Sequence, residues 1–296
     1  MSNGSTDKYY ALILGASSGF GGATAVRLAE DGYNIIGVHL DRAVNMPLVN
    51  GIIDKIKSFG VDARFFNMNA ADEKKRQEII EALLSEETHP KIKVVMHSLA
   101  FGTLLPFVPA EGEKYITKAQ MEMTLDVMAH SLVYWVQDLF KAGLLANDGR
   151  IFGMTSSGGH SIIPSYGAVS AAKAALESHI RQLSVELGPF GITANSIMAG
   201  VTDTPALRKI PGSIPMLEVA RRKNPGCRLT TPEDVADTIS LLCRREARWV
   251  SGGVINVDGG EDIVSYGLST FGRFGVVRAV PLLRSLSNSP VSMKGK

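Results

Sequence analysis

Glycines recur at close intervals near the start of the sequence, in the run Ile13-Leu14-Gly15-Ala16-Ser17-Ser18-Gly19-Phe20-Gly21-Gly22. The run lies between an apolar stretch and a segment of helical periodicity. Glycines let a backbone turn tightly and approach a pyrophosphate, whose charge is met by free amides and the helix dipole. A plain tight turn is the alternative, but the strand–turn–helix context favours a dinucleotide cofactor. The predicted cofactor contacts are Gly15, Ser17, Ser18, Gly19, Phe20 and Gly21.

Tyr166 and Lys173 form a second pair with informative spacing. They stand seven positions apart in the sequence, about two turns of an α-helix, so both side chains can lie on one helix face. A phenol can donate a hydrogen bond or a proton, and an ammonium group favours negative charge on a nearby oxygen. The alternative is that Tyr166 packs in a half-buried position and Lys173 is a solvated charge.

The elements that must position these motifs alternate from residue 9 to about residue 257. Near-continuous apolar strands separated by helices predict a parallel sheet covered on both faces. We therefore predict an α/β fold with a doubly wound, parallel, seven-stranded sheet and helices on both faces. The predicted strands are 9–14, 34–40, 63–68, 93–97, 150–155, 193–197 and 253–257, and the predicted helices are 20–31, 47–59, 72–86, 117–145, 165–187 and 231–244.

Two stretches interrupt the alternation, 98–115 and 198–228. Both follow the carboxyl end of a predicted strand, where open parallel sheets bind ligands. The second stretch mixes prolines with apolar side chains, and we expect it to form a lid over an apolar substrate, with contacts from Ile210, Ile214 and Met216. The alternative is a surface loop with its own small apolar cluster.

Composition and charge exclude several classes of protein. The 296 residues include 31 basic and 29 acidic side chains, a balance that argues against a general nucleic-acid binder. The two cysteines exclude a disulfide scaffold, and His97, His130 and His160 lack the spacing of metal ligands. No apolar run reaches the roughly 18 residues of a membrane span, and the first residues are too polar for a signal peptide. We expect a cytoplasmic protein.

The composition changes after residue 262. We predict one domain over residues 1–262 and an appendage over 263–296, which carries five basic side chains and no acidic one. The expected role of this tail is packing on a neighbouring subunit. Its mixture of basic and apolar residues leaves weak attachment to an anionic membrane surface as the alternative.

The spacing Gly-x3-Gly-x-Gly resembles that of the short-chain dehydrogenase/reductase superfamily. Other segments match where the family contacts adenine, the nicotinamide and the phosphates; these are Asn69, Ala70, Gly200, Thr202 and Thr204. Ala199 departs from the proline that is usual before Gly200. The resemblance covers about residues 8–262 and implies a Rossmann fold, an NAD(P)H cofactor and a homo-oligomer, either a tetramer or a dimer.

Ordinary members of that superfamily have Tyr-x3-Lys, but the residue four places before Lys173 is Val169, which has no proton to donate. Tyr-x6-Lys instead resembles the enoyl-acyl carrier protein reductases, in particular the Bacillus-type NADPH subgroup. The segment from His97 to Phe101 is also similar to theirs, and Asp126 replaces a helix asparagine of ordinary members. The resemblance implies cofactor contacts from Ser98, Leu99 and Ala100 and a substrate contact from Phe101.

This resemblance implies reduction of the 2,3-double bond of an enoyl thioester. Hydride reaches the β-carbon while charge develops on the more distant thioester oxygen, so the donor must stand further from the nicotinamide. Tyr166 would then donate to that oxygen, and Lys173 would hold the nicotinamide ribose. Ser156, seventeen residues before Lys173, matches a substrate-orienting serine of the superfamily or satisfies its own turn.

Other functions stay open beside this one. The same scaffold could oxidise or reduce ketones and alcohols, or it could be a non-catalytic nucleotide sensor. For an enoyl reductase the acyl carrier is an acyl carrier protein or coenzyme A, and a basic rim on the lid would attract either, unless it is an ordinary solvated helix face. The basic side chains are Arg208, Lys209, Arg221, Arg222 and Lys223.

We expect NADPH to be preferred over NADH, which is not excluded. Where the second strand ends, a carboxylate binds the ribose 2′-hydroxyl of NADH and a basic side chain accepts the 2′-phosphate of NADPH. His39 stands at the position of the NAD-selecting acid, which leaves Arg42 free to reach a phosphate with help from His39. An inward turn of Asp41 would favour NADH.

Overall fold

The sheet of the protein is parallel throughout, as its apolar strands predicted. A computed structural model describes residues 9–210 and 212–264, in which seven strands pair in the order β3-β2-β1-β4-β5-β6-β7. The predicted α/β fold with a doubly wound, seven-stranded sheet is confirmed. The strands are β1 (Tyr9–Leu14), β2 (Asn34–His39), β3 (Ala63–Asn67), β4 (Lys91–His97), β5 (Leu145–Thr155), β6 (Thr193–Ala199) and β7 (Val254–Val257).

Helices cover both faces of this sheet because alternate residues of a strand point to opposite sides. Leu12 and Leu14 of β1 pack in one core with Trp135, whereas Ala11 and Ile13 pack in the other core with helix residues such as Leu28. The helices are α1 (Gly19–Glu30), α2 (Met46–Lys57), α3 (Glu73–Leu84), α4 (Lys118–Leu125), α5 (Ser131–Lys141), α6 (Gly167–Leu187), α7 (Ser213–Lys223) and α8 (Pro232–Cys243).

The predicted helix 117–145 is three elements in the structure. A π-helical turn, Asp126–His130, separates α4 from α5, and Gly143, with a φ of 66°, lies in the turn between α5 and β5. The sequence pattern did not reveal the π turn, because the segments on both sides of it are helical and the turn is only five residues long. The helix also ends earlier than predicted, since a residue at positive φ terminates helical geometry.

Helix α7 lies inside the stretch 198–228, which was predicted as a lid and for which no helix bounds were given. Pro215 suggested a loop, but it occupies the first turn of α7, where a missing backbone N–H removes no helical hydrogen bond. Gly212, at a φ of 78°, precedes the helix. Within residues 9–210 and 212–264, no helix has both the length and the apolar character to cross a membrane.

Candidate active site

The glycine run forms a tight loop between β1 and α1. Gly15 has a φ of 95°, and a Cβ there would lie 2.6 Å from the carbonyl oxygen of Ser98. A Cβ on Gly21 would overlap the carbonyl oxygen of Gly15, and Gly19, at a φ of 53°, lies beside the methyl group of Thr204. Side chains at these positions would push the loop away from the end of β4, so the cradle requires glycine.

The amino end of α1 opens at this loop. Ser18 is the N-cap residue, but its side chain makes no capping hydrogen bond to the backbone that the structure describes. The first amides of α1 are therefore not occupied by a side-chain cap, and with the helix dipole they suit a phosphate anion. Phe20 is half-buried and packs against the core, which anchors the loop.

Asp41 and His39 lie together at the end of β2. The His39 ring is buried, and its Nδ1 lies 3.0 Å from Oδ2 of Asp41. Burial opposes ionisation of Asp41, but neighbouring Ser17, His39 and Asn45 outweigh it and hold the pKa of the carboxyl below its usual value. His39 therefore positions Asp41, which corrects the expectation that it helps to bind a phosphate. Arg42 is exposed to solvent beside them.

Asn67 is a residue of this edge that the sequence interpretation missed. Its Oδ1 accepts from the Asp41 backbone N–H at 3.0 Å, and its Nδ2 donates to the Asp41 carbonyl at 2.9 Å. Its position at the carboxyl end of β3 was the signal that could have found it. The predicted Asn69 accepts from Ala71 N–H at 3.1 Å, and Ala70 is buried, with its carbonyl bound by Trp135.

Tyr166, Ser156 and Lys173 gather around two glycines between β5 and α6. A Cβ on Gly158 would lie 2.5 Å from Cε1 of Tyr166 and 3.1 Å from Oγ of Ser156, whereas a Cβ on Gly159 would lie 3.5 Å from Cβ of Lys173. Ser156 Oγ accepts from the Gly158 N–H at 3.1 Å. Ser156 thus satisfies its own turn and also lies beside the phenol.

Helix α6 begins at Gly167, one residue later than the tyrosine. Tyr166 is therefore the N-cap residue, preceded by Ser165 at a φ of 60°, a left-handed conformation that a serine adopts only under constraint. Burial raises the pKa of Tyr166, an effect that the Ser156 hydroxyl partly offsets. The phenol is therefore protonated near neutral pH and can donate.

Lys173 is 5% exposed, and its Nζ donates to the carbonyl oxygen of Met154 at 2.6 Å. Burial lowers the pKa of Lys173 to about 8, although the charge of Glu177 raises it. Glu177 itself accepts from Thr155 Oγ1 at 2.6 Å. The ammonium is held at the end of β5, one strand position before Thr155.

His97 ends β4 and is fully buried, as a structural residue would be. Its Nε2 lies 2.9 Å from Ser131 Oγ and 3.2 Å from the carbonyl oxygen of Val127 in the π turn. Burial, then the charge of Lys173, lowers the pKa of His97 to about 3, so the ring is neutral. Among the described residues, no group of three or more histidines, cysteines and acids could hold a metal ion.

Glu261 and Thr230 pack against the start of the segment 200–204, which follows β6. A Cβ on Gly200 would overlap Oγ1 of Thr230 and lie 3.0 Å from Oε2 of Glu261, whose carboxylate accepts from the Val201 N–H at 3.3 Å. Burial raises the pKa of Glu261. The sequence interpretation missed both residues. For Glu261, the available signal was an acidic residue directly after the turn that follows β7. Thr202 and Thr204 are buried at this edge.

The β4 loop and α7 present apolar side chains to different degrees. Leu99 is half-buried, and its Cδ2 would lie 3.6 Å from a Cβ on Gly15. The backbone N–H of Ser98 donates to the carbonyl oxygen of Leu14, and Ala100 is exposed. Of the predicted substrate contacts, Phe101 is 60% and Ile214 is 80% exposed, whereas Ile210 and Met216 are half-buried. The structure does not gather these four into one closed pocket.

Phe107 is an apolar side chain at the site that the sequence interpretation missed. A Cβ on Gly167 would overlap the Cζ end of this ring and would lie 2.8 Å from its Cε2, so the tip of the ring contacts the first residue of α6. Gly167 follows Tyr166 directly in the sequence, and Phe107 is 54% exposed, so an exposed aromatic side chain lies beside the start of α6. An aromatic within the predicted ligand-binding stretch 98–115 was the available signal.

Two of the predicted basic side chains beside α7 are already paired. Arg208 binds Asp203 through two hydrogen bonds of 2.7 and 2.9 Å, and Arg222 binds Glu218 at 2.7 Å. Lys209 and Arg221 are exposed. The positive charge of this rim is therefore smaller than a count of basic residues suggests.

Comparisons with known proteins agree with this geometry. Residues 15–261 match the family model described as enoyl-(acyl carrier protein) reductase. The chain belongs to the short-chain dehydrogenase/reductase superfamily. It is 30% identical to the NADH-dependent enoyl-(acyl carrier protein) reductase of Aquifex aeolicus over 188 residues, 64% of this chain and 67% of that protein. It is 36% identical to 1-cyclohexenylcarbonyl-CoA reductase of Streptomyces collinus over 125 residues, 41% of this chain and 44% of that one.

A solved structure of the superfamily extends the comparison. The reductase LugOII, which catalyses keto-reduction at C1 during lugdunomycin biosynthesis, superposes with a TM-score of 0.72 at 27% identity, covering 86% of this chain and 98% of its own. As a short-chain dehydrogenase/reductase, the protein is an NAD(P)-dependent oxidoreductase, and the glycine cradle at α1 fits that cofactor.

Val169 stands where most short-chain dehydrogenases have their tyrosine. It is 4% exposed and belongs to the core, with Cγ2 2.8 Å from a Cβ on Gly102. That position therefore faces packed side chains, and among the described residues Tyr166 is the phenol beside Ser156. The predicted pair of Tyr166 and Lys173 lies on adjoining sides of the Gly158–Gly159 turn.

Proposed function

We propose that the protein uses NADPH to reduce the 2,3-double bond of an enoyl thioester. The observation that carries this proposal is the position of Tyr166, at the N-cap of α6 and beside Ser156, while the usual tyrosine position is filled by buried Val169. A donor at the start of the helix suits an oxygen that lies beyond the carbon receiving hydride.

In the proposed reaction, Tyr166 and Lys173 have different roles. When bound, NADPH would supply a hydride for the β-carbon. The electron pair of the double bond then moves toward the thioester carbonyl, and Tyr166 stabilises the enolate oxygen by donating a hydrogen bond or its proton. The α-carbon takes a proton from solvent as the carbonyl re-forms, and any proton that Tyr166 gave to the oxygen returns to it, so one hydride and one proton are added across the double bond. The Lys173 ammonium holds the nicotinamide ribose and favours the negative charge on that oxygen.

The names of two relatives support an enoyl thioester as substrate. The Aquifex aeolicus relative is named for an acyl carrier protein substrate and the Streptomyces collinus relative for a coenzyme A substrate. Exposed Lys209 and Arg221 beside α7 would attract the acidic surface of a carrier protein or the phosphates of coenzyme A. We also propose a homo-oligomer as the working form.

Replacing the phenol tests the proposal. Tyr166→Phe should lower kcat for enoyl thioesters by about 10²-fold and leave the Kd for NADPH unchanged, because it removes one positioned donor. Tyr134→Phe is the matched control, since Tyr134 lies on α5 outside the site and keeps its ring over Arg76. The measurement is steady-state turnover of crotonyl and longer enoyl thioesters with each cofactor, with Kd from nicotinamide fluorescence.

Reduction of a ketone is the second candidate function. It is supported by the likeness to the keto-reducing enzyme LugOII and by Ser156, which stands at the substrate-orienting serine position of ordinary members. A panel of ketones, enones and enoyl thioesters separates the two functions. Ready reduction of ketones with every enoyl thioester untouched, using both cofactors, would overturn the enoyl proposal.

A further inference from the structure

Glu177 is an acid of α6 that the proposed reaction does not use directly. It follows Lys173 by one helical turn, so the two side chains emerge from the same face of the helix. Its Oε1 accepts a hydrogen bond of 2.6 Å from Thr155, which is buried and immediately precedes Ser156. A Cβ on Gly159 would lie 3.3 Å from the same Oε1 and 3.5 Å from Cβ of Lys173. Glu177 therefore lies under the turn that carries Ser156, next to Lys173.

The buried ammonium of Lys173 needs compensation. Its hydrogen bond to the Met154 carbonyl satisfies one donor but brings no negative charge. Burial lowers the pKa of Lys173, and the charge that acts in the opposite direction is that of Glu177. Removing this carboxylate would leave the ammonium buried without a counter-charge, which favours loss of its proton.

The other ionisable groups around α6 do not replace Glu177. His97 of β4 is neutral, with a pKa of about 3, and the phenol of Tyr166 is protonated near neutral pH. Of the remaining groups, His130 and His179 lie 2.9 Å from each other, His160 pairs with Asp262, and Glu186 binds Gln182; Asp126 lies in the π turn and Arg181 further along α6.

We propose that Glu177 is a positioning residue of the site: its carboxylate fixes the Thr155–Ser156 turn, and its charge keeps Lys173 in the ammonium form that holds the cofactor ribose. The inference rests on the role of Lys173 in the proposed function, but not on whether a carbon–carbon or a carbon–oxygen double bond is reduced. The two parts can be tested separately, because a neutral amide oxygen at position 177 can still accept the hydrogen bond from Thr155.

Two substitutions separate the charge from the hydrogen bond. Glu177→Gln removes the charge and keeps an oxygen that can accept from Thr155, whereas Thr155→Val removes the donor and keeps the charge. Glu177→Asp preserves the charge and serves as the conservative variant. Glu186→Gln is the matched control, because Glu186 lies on the same helix and binds only Gln182 among the described side chains.

The pH profile of kcat/KM, taken from about pH 6 to about pH 10, is the first readout. Activity that needs the ammonium falls as pH rises through the pKa of Lys173. Glu177→Gln should move this falling limb to lower pH by about one unit, with little effect near pH 6. Thr155→Val should lower kcat across the whole pH range without moving the falling limb. Glu177→Asp should keep the falling limb at its wild-type pH, and the profile of Glu186→Gln should match that of the wild type.

The pH dependence of the Kd for NADPH, measured by fluorescence without turnover, is the second readout, and the same shift is expected in it. If no enoyl thioester is reduced, the proposed function fails. The role of Glu177 is then still tested by this binding profile and by turnover of any ketone that the enzyme accepts. A limb that stays in place in folded Glu177→Gln protein, or an equal pH-independent loss in Glu177→Gln and Thr155→Val, would overturn the inference. If Glu177→Gln does not fold, Glu177→Asp provides the test. A falling limb displaced by about one pH unit in Glu177→Asp, which keeps the charge, would also contradict the inference.

Discussion

At the residue scale, the buried Lys173 ammonium links the site to the stability of the fold. Burial lowers the pKa of Lys173 from its ordinary value of 10.5 to about 8. Between these two values the unfolded chain binds more protons than the folded one, so this residue makes the protein more stable as pH rises from about 8 to 10.5. Below about pH 8 the full penalty of burying the charge is present.

Lys173→Met should therefore stabilise the protein without cofactor at pH 7, by up to about 3 kcal/mol. The gain should disappear above pH 10.5, because lysine is then neutral in both states. Urea unfolding of wild type and variant at several pH values measures the difference. A difference that does not change with pH would mean that Lys173 has the same pKa in the folded and the unfolded chain.

Arg42 is the residue expected to select NADPH. It is exposed beside Asp41, whereas His39 is buried and bonds to the Asp41 carboxylate. Arg42→Ala should raise the Kd for NADPH by about tenfold or more, because it removes a hydrogen bond between charged groups, and should change the Kd for NADH little. Arg245→Ala, an exposed arginine far from β2, is the control. A wild-type Kd for NADH at least about tenfold below that for NADPH would reverse the assignment.

At the element scale, the β1–α1 loop depends on positions without side chains. A Cβ on Gly21 would overlap the backbone of Gly15, and rigid backbone cannot move aside cheaply. Gly51 on α2 offers the contrast, since its Cβ would meet nothing within 4 Å. The two glycines differ in surroundings, although both lie in helices that flank the cofactor edge.

Gly21→Ala should abolish measurable NADPH binding and lower Tm, because the loop must shift to admit the methyl group. Gly51→Ala should bind NADPH normally and should be up to about 1 kcal/mol more stable, as expected for alanine in a helix. Fluorescence titration and thermal unfolding of both variants provide the comparison. Normal binding by Gly21→Ala would show that the loop does not need its close approach.

At the scale of the whole molecule, the tail predicted over 263–296 lies outside the described residues from residue 265 onward. Its role is predicted from composition, as five basic residues, no acid and several apolar side chains. Packing on a neighbouring subunit is the expected role, and contact with an anionic membrane surface is the alternative.

Deleting residues 265–296 should lower the mass of the oligomer in light scattering, because subunit contacts would be lost. Co-sedimentation with vesicles of anionic lipid, compared with neutral lipid, tests the alternative. Unchanged mass together with unchanged vesicle binding would remove both roles. Wild-type protein measured at the same concentration is the reference, since oligomer mass follows mass action.

The linear order of residues determined the fold and the principal motifs. Apolar runs of strand length, separated by helical segments, led to all seven strands, because a strand buried on both faces is apolar along its whole length. The largest displacement of an end is five residues, at the start of β5, which was predicted at residue 150 and begins at Leu145. The glycine loop and the pair of Tyr166 and Lys173 were likewise readable, since their function depends on short spacings along the chain. Helix α7 was not, because Pro215 lies in its first turn, and a proline is tolerated there only if the helix begins close before it.

Tertiary structure alone decided which side chains support the motifs. His39 was predicted to face a phosphate but is buried against Asp41, because the depth of a strand in the sheet is set by its neighbours. Glu261 reaches Val201 and Glu177 reaches Thr155 across 60 and 22 positions of sequence. Such contacts form only when strands and helices pack at the carboxyl edge of the sheet, and no local spacing encodes them.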